Sequence, residues 1–159
     1  MRSMKAVLIC LVISLLLIQG ARPCLAQTTT TDSPVAVTSA PMYFLTAVLS
    51  NVNKRTGQIY VGLVNSAENF AGESYRTKVA DVSASGEISV SFDSLTAGRY
   101  AVRLFQDMNG NKKIDFDGRM PTEPFGFSNV TMLMGPPDFD QCAFDLAENK
   151  RIQVGLIEL

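Results

Sequence analysis

Residues 87–106 read EISVSFDSLTAGRYAVRLFQ, two alternating runs joined at a glycine-containing turn, and their period decides the fold. Ile88, Val90 and Phe92 fall on one side of an extended chain, with Ser89 and Ser91 on the other. Tyr100, Val102 and Leu104 repeat the rule, with Arg103 outward. A period of two marks strands with one face in a core and the other toward water. The same pattern recurs on both sides of this stretch: Tyr43 to Ser50, Gln58 to Asn65 and Arg151 to Leu159 are predicted strands, the last carrying Ile152, Val154 and Leu156 on one face. No long helical period interrupts them.

The joints carry turn chemistry. Ser85-Gly86 precedes the Ile88 strand, and Asn53 to Gly57 is expected to link the first two strands as a hairpin. Between the quoted runs, Leu95-Thr96-Ala97-Gly98-Arg99-Tyr100 has the L-x-x-G-x-Y spacing of a tyrosine corner, in which the Tyr100 hydroxyl bonds to backbone a few residues upstream. Short strands at this spacing predict an all-β, antiparallel Greek-key β-sandwich of the immunoglobulin or prealbumin kind. Its unusual feature is one long segment from Gln106 to Cys142. That segment holds four prolines and four glycines, but also Phe116, Phe125, Phe127 and Phe139, which argue for packing rather than disorder.

Before the strands, Met1 to Ala26 has the layout of a secretory signal peptide. Arg2 and Lys5 start it, Ala6 to Ile18 is apolar, and Cys24-Leu25-Ala26 forms a cleavage site. The apolar run is thirteen residues, short of the ~20 a membrane span needs, so no span is expected after processing. Residues 27–41, rich in Thr, Ser and Pro, are expected to be a flexible lead-in, and residues 42–159 a single domain. The expected location is outside the cytoplasm, periplasmic or secreted. The leader holds three of the 14 basic residues and none of the 15 acids, so the remainder carries 11 against 15, a net charge of −4. That balance gives no support for nucleic-acid binding, which needs a basic stripe, and none is expected. With no histidine, Ser-His-Asp and Cys-His catalysis and imidazole zinc sites are excluded as well. Cys10 and Cys24 lie in the leader, which leaves Cys142 without an intrachain disulfide partner; its setting in Gln141-Cys142-Ala143-Phe144 is that of a buried small hydrophobe.

The chemistry-bearing residues sit at the start of the long segment. DMNGNKKID, residues 107–115, spaces oxygen side chains as D-x-N-x-N-x-x-x-D. Asp107, Asn109 and Asn111 alternate, so a tight loop can aim all three at one point. The Lys113 carbonyl and the Asp115 carboxylate would extend an oxygen cage suited to calcium, closed by Asp117 or by Glu123. Lys112 stands where such loops place glycine, and Gly118 where they place a bidentate glutamate. The expected affinity is therefore that of extracellular modules, roughly 10⁻⁴ to 10⁻³ M. The alternative is a connector in which the same side chains cap their own backbone without an ion.

Two function classes follow. In the preferred one the protein is not an enzyme: the pinned loop presents Glu123, Phe125, Phe127, Ser128 and Asn129 as a surface for an unknown ligand or protein at the cell envelope, with Phe125 and Phe127 either anchoring the loop in the core, the favoured alternative, or contacting the ligand. In the other, Asp115, Asp117 and Glu123 supply an acid and a base to a small glycan hydrolase.

Four ordered fragments carry a family resemblance: Leu95-x-x-Gly98-x-Tyr100-Ala101-Val102; Asp107-x-Asn109-Gly110-Asn111-x-x-Ile114-Asp115; Pro121-x-Glu123-x-x-Gly126-Phe127-Ser128-Asn129; and Gly135-Pro136-Pro137-x-Phe139-x-x-Cys142-Ala143-Phe144. Together, over Phe44 to Leu159, they resemble the exported bacterial proteins of domain-of-unknown-function family 2141. That family usually has His where this chain has Gln106 and Gly where it has Lys112. The resemblance implies an exported β-sandwich and supplies no reaction.

Overall fold

The core strands form where an apolar alternation meets a face it can bury. The computed structural model describes residues 40–159; the expected leader and the lead-in up to residue 39 lie outside the described residues. The first strand, β1 (Tyr43–Ser50), buries Leu45, Ala47 and Leu49. After a crossover come β2 (Gln58–Val64), a one-turn helix α1 (Ala67–Ala71) whose N-cap Ser66 accepts from the Asn69 N–H, and β3 (Arg76–Asp81). The quoted stretch folds as β4 (Ile88–Leu95) and β5 (Gly98–Asp107). The long segment contributes a ribbon of β6 (Phe116–Asp117) and β7 (Met120–Pro121), then β8 (Phe125–Phe127) and α2 (Phe139–Cys142), which is closed by a capping box between Asp138 and Gln141. The last strands are β9 (Phe144–Leu146) and β10 (Lys150–Gly155).

These strands build two main sheets, one in the order β10-β1-β4, the other β3-β2-β5-β8 with β9 pairing the start of β5. Between them lies the core: Leu45, Leu49, Phe92 and Val154 from the first sheet interdigitate with Ile59, Leu63, Val102 and Leu104 from the second. Burying each such side chain contributes roughly 1.5–3 kcal/mol. The all-β sandwich is thus as the alternation predicted. Its pairs are antiparallel except β1 with β10, which run parallel from Leu45↔Lys150 to Ser50↔Gly155. The tyrosine corner is also in place, the buried Tyr100 donating its hydroxyl to the Thr96 carbonyl at 3.0 Å.

Two local expectations need correction, and one strand was not expected. Asn53 to Gly57 is not a hairpin turn: β1 and β2 belong to different sheets, and the link crosses between them with Val52 buried in the core. Turn residues say that a chain bends, but not whether it stays in one sheet. The final strand ends at Gly155 rather than running to Leu159, because Ile157 turns to form a single bridge with Phe125. Strand β3, RTKVAD, was not foreseen. It is an edge strand with no buried residue, so it lacks the apolar alternation that would reveal it.

Strand β5 departs from simple alternation, with Ala101 and Val102 both buried. Its outer face is covered by a second cluster in which Val64 and Ala101 pack against Phe139 and Cys142. Burial pushes the Cys142 thiol up to about 11, with the Asp138 charge a smaller contribution in the same direction, so the thiol stays neutral.

Candidate functional site

The Asp107 loop forms because its side chains answer its own backbone. Asp107, 2 % exposed, accepts from the Gly110 N–H at 2.7 Å and the Lys112 N–H at 2.8 Å. Asn109 Oδ1 accepts from the Asn111 N–H, and Asn111 Oδ1 from the Lys113 N–H. These are successive Asx-turns. They hold Gly110 at φ 82° and Lys112 at φ 64°, the left-handed region that costs a lysine on the order of 1 kcal/mol. Burial raises the Asp107 pKa, but backbone N–H groups of Lys112, Gly110, Asn111 and Asn109 outweigh it and hold the carboxyl below its ordinary value.

The structure brings Asp107, Asn109, Asn111 and Asp115 into one loop. The amide nitrogens of Asn109 and Asn111 donate to the Asp115 carboxylate at 2.6 and 2.9 Å. Lys113 takes part through its backbone N–H. Asp117 stands apart, exposed in the ribbon opposite Met120, with no hydrogen bond to the others among the described residues. Among the described residues no group of three or more acidic, Cys or His side chains is placed to hold a metal ion.

The five residues expected to form a recognition surface divide. Glu123 is 5 % exposed, and its two carboxylate oxygens accept from the Met108 N–H at 2.9 Å and the Asp115 N–H at 3.3 Å, tying both ends of the Asp107 loop. Ser128 is buried, its hydroxyl accepting from the Val102 N–H and donating to the Cys142 carbonyl at 2.6 Å. Asn129, held at φ 61°, donates to the Ala143 carbonyl at 2.8 Å. Phe125 is buried, the anchoring alternative, and both it and the half-buried Phe127 line a cavity.

That cavity, about 850 Å³ and open to solvent, lies on the outer face of the β3-β2-β5-β8 sheet. Tyr60 and Phe105, paired in register on β2 and β5, stack at 5.1 Å on its floor. Phe125 and Phe127 meet edge to face at 6.0 Å beside them. The Asp107 loop contributes Lys112 and Ile114 to the wall; the ribbon contributes Phe116, Arg119 and Met120, and Pro136 and Pro137 also border the cup. Phe116 and Met120 are 56 % and 55 % exposed, more than large apolar side chains ordinarily are on a finished surface.

Arg103 is the half-buried cation of this face. It sits in register between Gly62 and Phe127. Its guanidinium donates to the Ser74 hydroxyl at 3.1 and 3.2 Å, to the Phe70 carbonyl at 2.7 Å and to the Gly72 carbonyl. Gly62 makes this possible, since a Cβ there would lie 2.3 Å from Ser74 Oγ. Every acceptor is neutral, no carboxylate pairs with Arg103 among the described residues, and burial lowers its pKa. In the sequence Arg103 stands out only as an outward residue of its strand. The signals for the cup were present in the outward aromatics Tyr60 and Phe105 and in a lone glycine within a strand, where a neighbour must approach closely.

The molecule is therefore an all-β sandwich with a lined cup on one outer face. The family model described as an uncharacterized protein conserved in bacteria (DUF2141) matches residues 48–154, and the chain belongs to that family. No curated protein and no solved structure matches it.

Proposed function

We propose that this protein is a non-enzymatic binding module, exported to the cell envelope by its first 26 residues, whose ligand site is the cup on the outer face of the four-stranded sheet. The observation that carries this reading is a cavity of about 850 Å³ floored by stacked aromatics and edged by exposed Phe116 and Met120. Ligand sites are concave, mostly apolar and of about 300–1,000 Å³, with a few placed polar groups. The Asp107 loop serves as part of the wall. Calcium is the ion it would take: the side-chain oxygens of Asp107, Asn109 and Asn111 each keep a lone pair beyond the backbone N–H they accept, the Asp115 carboxylate would turn from the two amides to the ion, and a bound ion would stiffen the wall.

The carboxylate reading fits less well, because Glu123 is buried with both oxygens committed to backbone N–H groups, and Asp117 lies apart on the ribbon. A neutral polarity-sensitive dye such as Nile red tests the binding reading without involving charge. Saturable, blue-shifted emission near one dye per chain is expected, lost in the Phe116→Asp/Met120→Asp double variant. Equal emission from that variant, confirmed folded by circular dichroism, would remove the cup from the account.

A further inference from the structure

The charge around the cup is one-sided. Arg103, Lys112 and Arg119 line it, against one acidic side chain, Glu73. Lys112, Arg119 and Glu73 are exposed side chains on its rim, whereas Arg103 is only partly exposed and sits in the wall itself. A guanidinium has five N–H donors. Four are accounted for by the neutral oxygens of Phe70, Gly72 and Ser74, the last accepting two, which leaves one N–H on Nη1. A charge partly withdrawn from water and given only neutral partners keeps attraction for an anion, and an anion held beside it against apolar surface would be bound more tightly than in open water. Apolar surface surrounds this cation on the cup side: Phe127 in register on one strand, Phe105 and Tyr60 along the floor, Met120 and Leu133 on the wall.

We infer that the cup takes an amphiphile with one anionic head and one apolar chain, a long-chain monocarboxylate, its head beside Arg103 within reach of Arg119 and Lys112 and its chain against the aromatic floor. This rests on the cup being the ligand site and adds the chemical class of ligand. Charge complementarity selects the acid. A neutral apolar molecule would leave the remaining Nη1 N–H of Arg103 without a charged partner, and a cationic amphiphile would face three basic side chains with one acidic side chain, Glu73, among them. Gly62 belongs to the same device, because it leaves room for the Ser74 hydroxyl that fixes the plane of the guanidinium.

The test is calorimetric titration of the full chain with dodecanoate, 1-dodecanol and dodecylamine, each below its aggregation concentration, at pH 8. Dodecanoate is expected to bind one per chain, at least about tenfold more tightly than the alcohol, the discrimination one charge-assisted hydrogen bond supplies. Arg103→Gln and, separately, the exposed Arg119→Gln should each narrow that ratio. The second variant guards against Arg103→Gln unfolding the α1 turn whose carbonyls it holds. Alcohol binding as well as acid, in the parent and both variants, would overturn the head-group assignment and leave the cup intact as an apolar site. Failure of all three probes would overturn both readings together.

Discussion

Replacing Glu123 with Gln is expected to unlock the long loop without changing its volume. Glu123 is 5 % exposed, and its oxygens accept from the Met108 and Asp115 N–H groups at 2.9 and 3.3 Å. A glutamine offers one oxygen and one NH₂ in the same space, so only one bond survives, and a donor is left facing a donor. A hydrogen bond to a charged group contributes about 1.5–3 kcal/mol, and an unsatisfied buried donor costs about 1–3 kcal/mol. The 3.3 Å bond is the weaker of the two, so the sum is set at about 2–4 kcal/mol. For a domain of this size roughly 4 °C is lost per kcal/mol, which predicts a Tm lower by about 8–16 °C. Urea denaturation at pH 7 should show a reduced midpoint with an unchanged slope, the mark of altered stability rather than altered compactness. Asp117→Asn, at an exposed ribbon position, is the control and should stay within about 0.5 kcal/mol. A Glu123→Gln protein as stable as that control would refute the view that this carboxylate fastens the loop.

Three other outcomes follow from the same bonds. Ser128→Ala leaves the buried Val102 N–H and Cys142 carbonyl without the hydroxyl they share, and should cost about 2 kcal/mol by urea denaturation, far more than an exposed serine such as Ser89. Because the folded-state pKa of Asp107 is depressed, its contribution is full above its ordinary value near ~3.9 and is lost as pH falls through the folded value. The stability gap between the parent and Asp107→Asn should therefore be constant from neutral pH to about pH 5 and close under acid, and a gap that widens there would contradict the assignment. If the loop takes calcium, millimolar calcium raises Tm relative to excess chelator by an amount set by concentration over Kd, and Asp107→Ala and Asp115→Ala abolish the rise.

The core was legible because it follows from period alone. Ile88, Val90, Phe92, Tyr100, Val102 and Leu104 alternate and are all buried, and the Tyr100 corner is set by a spacing of a few residues. Sheet membership was not legible. Asn53 to Gly57 has the composition of a hairpin, but it links two sheets because Val52 is drawn into the core, a tertiary effect that turn propensity does not contain. Edge strand β3 was hidden by its exposure, and β8 and β9 by being only three residues each. In the loop, the spacing made its turns readable, with Asn109 and Asn111 reaching Asp115 and Asp107 answering the backbone N–H groups of Gly110 and Lys112. The partner of the loop, Glu123, was visible as a residue but not as a tie, because its role depends on where the chain doubles back. The cup was the least legible feature. It is assembled from β2, β5, β8, the loop and the ribbon, and no local window spans them.

The most direct measurement is a titration of the ¹⁵N-labelled full chain with dodecanoate, followed by amide chemical shifts. Shifts should be concentrated at the outer-face positions Tyr60, Arg103, Phe105, Phe125 and Phe127 and along Lys112 to Met120, with β1 and β10 of the opposite sheet unmoved. Saturating shifts in the β10-β1-β4 sheet, or none at all at millimolar dodecanoate, would contradict the claim that the outer face of the four-stranded sheet is the working surface of this protein.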